Sequence, residues 1–343
     1  MAAERGKAPL RGLARRRSAD RAEADLQRIV RWYFRNVYGR YEGPGVLPFY
    51  CDPHRIGYFA VKPSLLAAGD EKALFRLFVA LSMYQARRDV VIMRQQAELK
   101  RQSVAVLASA TTIGRRIRQN PCPVLGSVER FETNCSVRKD GGVVGCSERP
   151  RQKCHVKEAA VALNRMADLG KLPTSAWLRL RRYGGYRQQL CEVCREEENP
   201  IRRADLLVAR LSAIWRVGRK LATMFVSALS VPALAPGLTA WFPAVDGNEL
   251  VVVDSNVERG LLALLGAKAP RGYQASVGWF RQAAAAIDLR ALVSGLPAYS
   301  PRLVQQAVYA FCSRSNRIAR EDRCAGRPDA CEECVPAVCP ITG

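Results

Sequence analysis

The sequence predicts a mainly α protein. Apolar residues recur at helical spacing through most of its 343 residues. Capping residues and Gly or Pro flank those periodic segments. Strand signals are few: Glu249–Val253 is the only clear β-branched run, too short and isolated to found a sheet.

The elements follow in chain order. Residues 1–20 carry six Lys/Arg against Glu4 and Asp20 and have no apolar core. This predicts a flexible basic arm rather than a secretory signal. Leu26, Ile29, Val30, Tyr33, Phe34 and Val37 share one helical face, stopped by Gly39, and a Pro/Gly-rich connection runs from Gly43 to Pro48. Asp70 is placed to cap a helix whose apolar face is Leu74, Leu77, Phe78 and Leu81. Val156, Ala160, Leu163 and Ala167 mark another helix, ended by Gly170. Leu172-Pro173-Thr174-Ser175 reads as a turn into a helix with Trp177. Leu221, Met224, Phe225 and Ala228 give a further face, and Leu303, Val304, Ala307, Val308 and Phe311 the last. Segments 120–153 and 183–200 are polar or charged, bear cysteines and read as insertions.

Charge bounds the partners. There are 54 Lys+Arg against 31 Asp+Glu, a formal net charge of +23. Such an excess repels itself unless a polyanion neutralises it, so nucleic acid is the expected partner. The basic residues recur along the chain, as in Arg115, Arg116 and Arg118 or Arg179, Arg181 and Arg182, which suits a surface built by the fold. No run of about 18 apolar residues is present, so no membrane span is expected. A monomer in the cytoplasm is the expected form, at the nucleoid if the source is bacterial. Only two histidines occur, which excludes chemistry needing several.

Twelve cysteines read as metal ligands and buried thiols. Cys324, Cys331, Cys334 and Cys339 form a C-x6-C-x2-C-x4-C run. One C-x-x-C with two staggered single cysteines suits a cubane iron–sulfur cluster. Structural zinc and disulfides remain alternatives on spacing alone. Cys122, Cys135, Cys146 and Cys154, with His155 adjacent, are a candidate second site, for zinc. Cys191 and Cys194 could complete either site.

Two further segments could carry chemistry. Ile214-Trp215-Arg216-Val217-Gly218-Arg219-Lys220 lies between helical patterns. A short turn ending in Gly and opening a helix presents backbone N–H groups to an anion such as a DNA phosphate. Lys220 then falls in the first helical turn, a candidate amine nucleophile. Val251-Val252-Val253-Asp254 is an apolar run ending in a carboxylate, and Asp254 both caps the next helix and is held in place by doing so.

Together these residues resemble the helix-hairpin-helix DNA glycosylases, in the branch of endonuclease III. The resemblance rests on the hairpin ending Val217-Gly218-Arg219-Lys220, the segment Val253-Asp254-Ser255-Asn256-Val257-Glu258-Arg259 and the C-terminal four-cysteine run. Leu81-Ser82-Met83-Tyr84-Gln85, His155-Val156-Lys157-Glu158-Ala159 and Gly170-Lys171-Leu172-Pro173 add to it. The resemblance covers roughly 70–110 and 155–339, outside the insertions. It implies a two-domain helical fold with a DNA-binding cleft between a six-helix barrel, 72–235, and an iron–sulfur domain, 21–71 with 236–343. It further implies a DNA glycosylase with AP lyase activity, acting on double-stranded DNA with a damaged or modified base. In that scheme Lys220 attacks C1′, Asp254 activates it, Gln85 fills the space left by the flipped nucleotide, and the amides around Arg216, Val217, Gly218 and Arg219 hold phosphate. Cys324, Cys331, Cys334 and Cys339 would hold a [4Fe–4S] cluster. Two departures stand out: the hairpin has Arg216 where the family has Gly, and the last cysteine gap is one residue short. The alternative is a DNA-binding protein on the same scaffold without catalysis.

Overall fold

The described residues of the computed structural model contain seventeen α-helices, six 3₁₀ helices and one two-stranded sheet. Those residues are 19–320 apart from 141 and 183, with 335, 336 and 338–341. The fold is therefore mainly α, as the periodicity requires. None of the described helices is long and apolar enough to cross a membrane. Of the basic arm, residues 1–18 lie outside the described residues, and Ala19 and Asp20 already belong to the helix Ala19–Asn36.

The chain divides into two compact units, Tyr38–Val252 and the two ends, Met1–Val37 with Val253–Gly343. The sequence reading has the passages at 71/72 and 235/236. Residues 38–71 belong to the larger unit because Tyr50, Ile56, Phe59, Val61 and Leu66 join its core. Residues 236–252 belong there because Trp241, Val245 and Leu250 do the same.

In the larger unit the helix Glu71–Ser82 is central. Asp70 caps it, its carboxylate accepting from Ala73 N at 2.8 Å. Leu74, Leu77, Phe78 and Leu81 are all buried, and Phe78 meets Phe225 of the helix Arg219–Ser230 edge-on, with centroids 5.1 Å apart. Segment 183–200 is no loop-like insertion. It folds into the helix Tyr186–Glu196, whose buried Tyr186 packs on Phe78, Phe225 and Trp241. Glu71 holds the start of that helix, accepting from Tyr186 N at 3.0 Å and Arg187 N at 2.6 Å. Gly185, at φ +95, permits this approach, since a Cβ there would lie 2.8 Å from Glu71 Oε2.

Two expected helices differ in their limits. The helix of Val156 runs His155–Leu163 and breaks at Asn164, which takes φ +48, before a 3₁₀ stretch Asn164–Leu169. Asn tolerates this left-handed conformation better than most residues. Leu172 and Pro173 are already helical, in Leu172–Arg182, because Pro suits a first turn. The only strands among the described residues, Arg138–Asp140 and Val143–Gly145, pair antiparallel inside segment 120–153. Glu249–Val253 forms none.

The smaller unit gathers around the helix Pro301–Cys312. The helices Ala19–Asn36, Ser255–Leu265 and Tyr273–Ala284 pack on it. Trp32 meets Phe311 edge-on at 5.0 Å, and the buried guanidinium of Arg317 lies 4.7 Å from one ring centroid and 4.9 Å from the other. At Gly260 a Cβ would stand 2.7 Å from Cys312 Sγ, so the glycine sets how closely Ser255–Leu265 approaches Pro301–Cys312.

Candidate active site

The expected hairpin is present in the larger unit. Asn199 caps its first helix, Pro200–Ser212, accepting from Ile201 N at 2.9 Å. Gly218 precedes the second, Arg219–Ser230, with no side-chain cap. In the turn, buried Val217 donates its N–H to Ile214 O at 2.8 Å. Arg216 takes φ +62, the left-handed region that favours glycine. The turn demanded by the Gly position is thus made by an arginine, at a cost of about 1–2 kcal/mol. Its guanidinium lies 5.4 Å from the Trp215 ring centroid, and Arg219 pairs with Asp205 at 3.4 Å.

The turn is braced by residues that carried no sequence signal. Trp215 N donates to Ser175 Oγ at 3.1 Å, and that hydroxyl donates to Glu132 Oε1 at 2.5 Å. Arg179 holds Glu132 with two bonds, 2.9 and 2.6 Å. Burial works to raise the Glu132 carboxyl, but hydrogen bonds from Arg179 and Ser175 outweigh it and hold the group below its ordinary value. Glu132 lies in the short helix Val128–Asn134, so segment 120–153 is tied to the hairpin.

Lys220 is half-buried, and its Nζ donates to Tyr84 O at 3.1 Å. Tyr84 immediately precedes Gln85. Two sequence-predicted site segments, 136 residues apart between Lys220 and Tyr84, therefore meet in one unit. Gln85 itself is folded back, its Nε2 donating to Ser82 O at 2.6 Å, and Ala86 beyond it takes φ +57. Beneath this loop lies Gln96, fully buried, donating to Ala80 O at 2.9 Å and accepting from Tyr84 Oη at 3.5 Å. Burial, with help from Asp89 and against Arg55, pushes the Tyr84 phenol well above its ordinary value.

Asp254 lies in the smaller unit and caps Ser255–Leu265. Its Oδ1 accepts from Asn256 N at 3.0 Å and Val257 N at 2.9 Å, and its Oδ2 from Asn256 Nδ2 at 3.1 Å. Arg259 bonds Asn256 Oδ1 in turn. The carboxylate is thereby fixed in rotation, as a cap should be.

Of the C-terminal cysteine run, Cys324, Cys331 and Cys334 lie outside the described residues. Cys339 is buried, and Arg317 Nη1 donates to its Sγ at 3.2 Å.

The cysteines of segment 120–153 and its border come together. Cys122, Cys135, Cys146, Cys154 and His155 all line one cavity of about 400 Å³. Burial pushes the Cys135 and Cys154 thiols up; Cys154 and Cys146 add to the rise at Cys135, and Cys146 to that at Cys154. At Cys146 the Ser136 hydroxyl and nearby backbone outweigh burial, and the thiol moves down. Burial, then Arg116, brings His155 down to about 4. Among the described residues no three potential ligands are already gathered as a metal site. Cys191 and Cys194 sit on the helix Tyr186–Glu196 and line no part of this cavity.

No family model, no curated protein and no solved structure matches the chain.

Proposed function

We propose that the protein is a DNA glycosylase with AP lyase activity on the helix-hairpin-helix scaffold. The observation that carries this reading most is the bond from Lys220 Nζ to Tyr84 O. It places a half-buried amine at the start of a hairpin helix, beside the loop that bears Gln85. An amine held at a DNA-facing helix start has an evident task in covalent chemistry, which a simple binding surface does not need.

In this reading the hairpin amides and Arg216 hold a phosphate, and a flipped nucleotide presents C1′ to Lys220. The Nζ lone pair forms a bond to C1′ as the N-glycosidic bond breaks, and the electron pair leaves with the base, which takes up a proton. The family resemblance assigns to Asp254 the proton that the amine loses. The C1′–O4′ bond then breaks, O4′ taking up a proton, and leaves a Schiff base between C1′ and Nζ; loss of a C2′ proton expels the 3′ phosphate, and water then frees Lys220. Cys324, Cys331, Cys334 and Cys339 would hold a [4Fe–4S] cluster, which would support a DNA-binding loop and take no part in these steps.

Borohydride trapping on duplex DNA with an abasic site tests the proposal. A covalent protein–DNA adduct is expected, lost in Lys220→Gln while DNA binding persists. Tight binding without any adduct, on abasic DNA and on a panel of modified bases, would leave the non-catalytic DNA-binding protein as the better reading.

A further inference from the structure

The cavity at the base of segment 120–153 belongs to no step of the chemistry above. Its wall brings together four cysteines from separate elements. Cys122 precedes the 3₁₀ turn Pro123–Gly126, and Cys135 ends the helix Val128–Asn134. Cys146 follows the strand Val143–Gly145, and Cys154 caps the helix His155–Leu163. The segment's apolar cluster is small, with Phe131, Cys135 and Val156 buried at its centre. A polar stretch with so small a core gains stability from a cross-link.

His155 supplies an independent observation. It is 3% exposed and lines the same cavity, and neither ring nitrogen has a hydrogen-bond partner. A buried imidazole left unsatisfied is unfavourable, and a partner in the cavity would remove that cost. Around the cavity the loop is already held: Lys157 Nζ donates to Arg149 O at 2.7 Å, Pro150 O at 2.9 Å and Gln152 O at 2.9 Å.

We propose that this cavity is a structural zinc site, with Cys122, Cys135, Cys146 and Cys154 as thiolate ligands and His155 donating a ring N–H to one of those thiolates. Zinc takes four thiolates tetrahedrally, and a second layer of donors to the sulfurs is its usual surrounding. Binding releases the thiol protons to solvent and draws the four sulfurs together. Disulfides would use the same cysteines but leave His155 without an acceptor. The site has a mechanical consequence. Cys135 ends the helix that carries Glu132, and Glu132 reaches Trp215 of the hairpin turn through Ser175. Zinc would hold that brace in place.

Metal analysis of the full chain, purified after expression with added zinc, tests this whatever the chain does to DNA. One zinc per chain is expected, falling at least tenfold in Cys135→Ser and Cys146→Ser with iron unchanged. His155→Ala should retain zinc but release it faster to a chelator. Cobalt exchanged into the wild-type protein should give tetrahedral cobalt–thiolate absorption, a readout that survives if the serine variants fail to fold. Wild-type protein without zinc and without a cobalt–thiolate spectrum overturns the proposal, as does mass spectrometry showing these cysteines in disulfides. Loss of zinc in His155→Ala with retention in Cys122→Ser would overturn the ligand set.

Discussion

Arg216 occupies a backbone conformation that glycine would adopt without strain. Arg216→Gly should therefore raise stability by about 1 kcal/mol, less the greater freedom glycine has in the unfolded chain. If the guanidinium also meets phosphate, the same change should weaken DNA binding severalfold and lower its salt slope by about 1. Denaturant unfolding and salt-dependent binding read the two effects separately. A destabilised variant would mean that Arg216 earns its place by packing on Trp215. Gly260 makes the opposite case. Its Cβ would meet Cys312 Sγ and, at 3.1 Å, Val308 Cγ1. Gly260→Ala should destabilise by about 1–3 kcal/mol through overpacking. Adding Cys312→Ala should restore part of that loss, so a double-mutant cycle checks the contact itself.

Among elements, the decisive link is the Glu132 brace between Val128–Asn134, Leu172–Arg182 and the hairpin turn. The Glu132 carboxyl is held below its ordinary value, so its ionised form is favoured by folding. That contribution is fully present above the unfolded pKa and is lost as pH falls through the lowered folded value. Wild-type stability should therefore drop, as pH falls below the ordinary carboxyl value of 4.5, by more than that of Glu132→Gln, with the two curves diverging as pH rises. Thermal unfolding across this range would refute the brace if the two proteins kept a constant difference. The helix Tyr186–Glu196 teaches a related lesson. Four of its eleven residues are charged, and the buried Tyr186 and Val193 dock it on the core. Nothing in the sequence joined the start of this helix to Glu71, 115 residues from Tyr186.

For the whole molecule, the net charge of +23 is the property a nucleic-acid partner must answer. Binding to duplex DNA should weaken with salt along a log–log slope of about −0.9 for each phosphate neutralised. A slope shallower than about −2 would remove DNA as the principal partner, whatever the hairpin's geometry. The helices were legible because their signal is local: apolar residues three and four apart, Asp70 before a helix and Gly39 after one. The hairpin and the Asp254 cap were legible for the same reason. The limits of the two units were not, because Phe59 and Trp241 join one core from positions far apart in the chain.

By itself the sequence determined the helical class, the net positive charge, the capped carboxylate and which residue types are present as candidate ligands and nucleophiles. Those properties follow from composition and from spacing within a few turns of helix. Only the tertiary structure decided that Lys220 rests on the carbonyl beside Gln85, that Arg216 takes the left-handed place in the turn, and that four cysteines and an unpartnered His155 share one cavity. The physical reason is that hydrogen bonds and packing between distant segments depend on how the elements are stacked, and local periodicity carries no record of that arrangement.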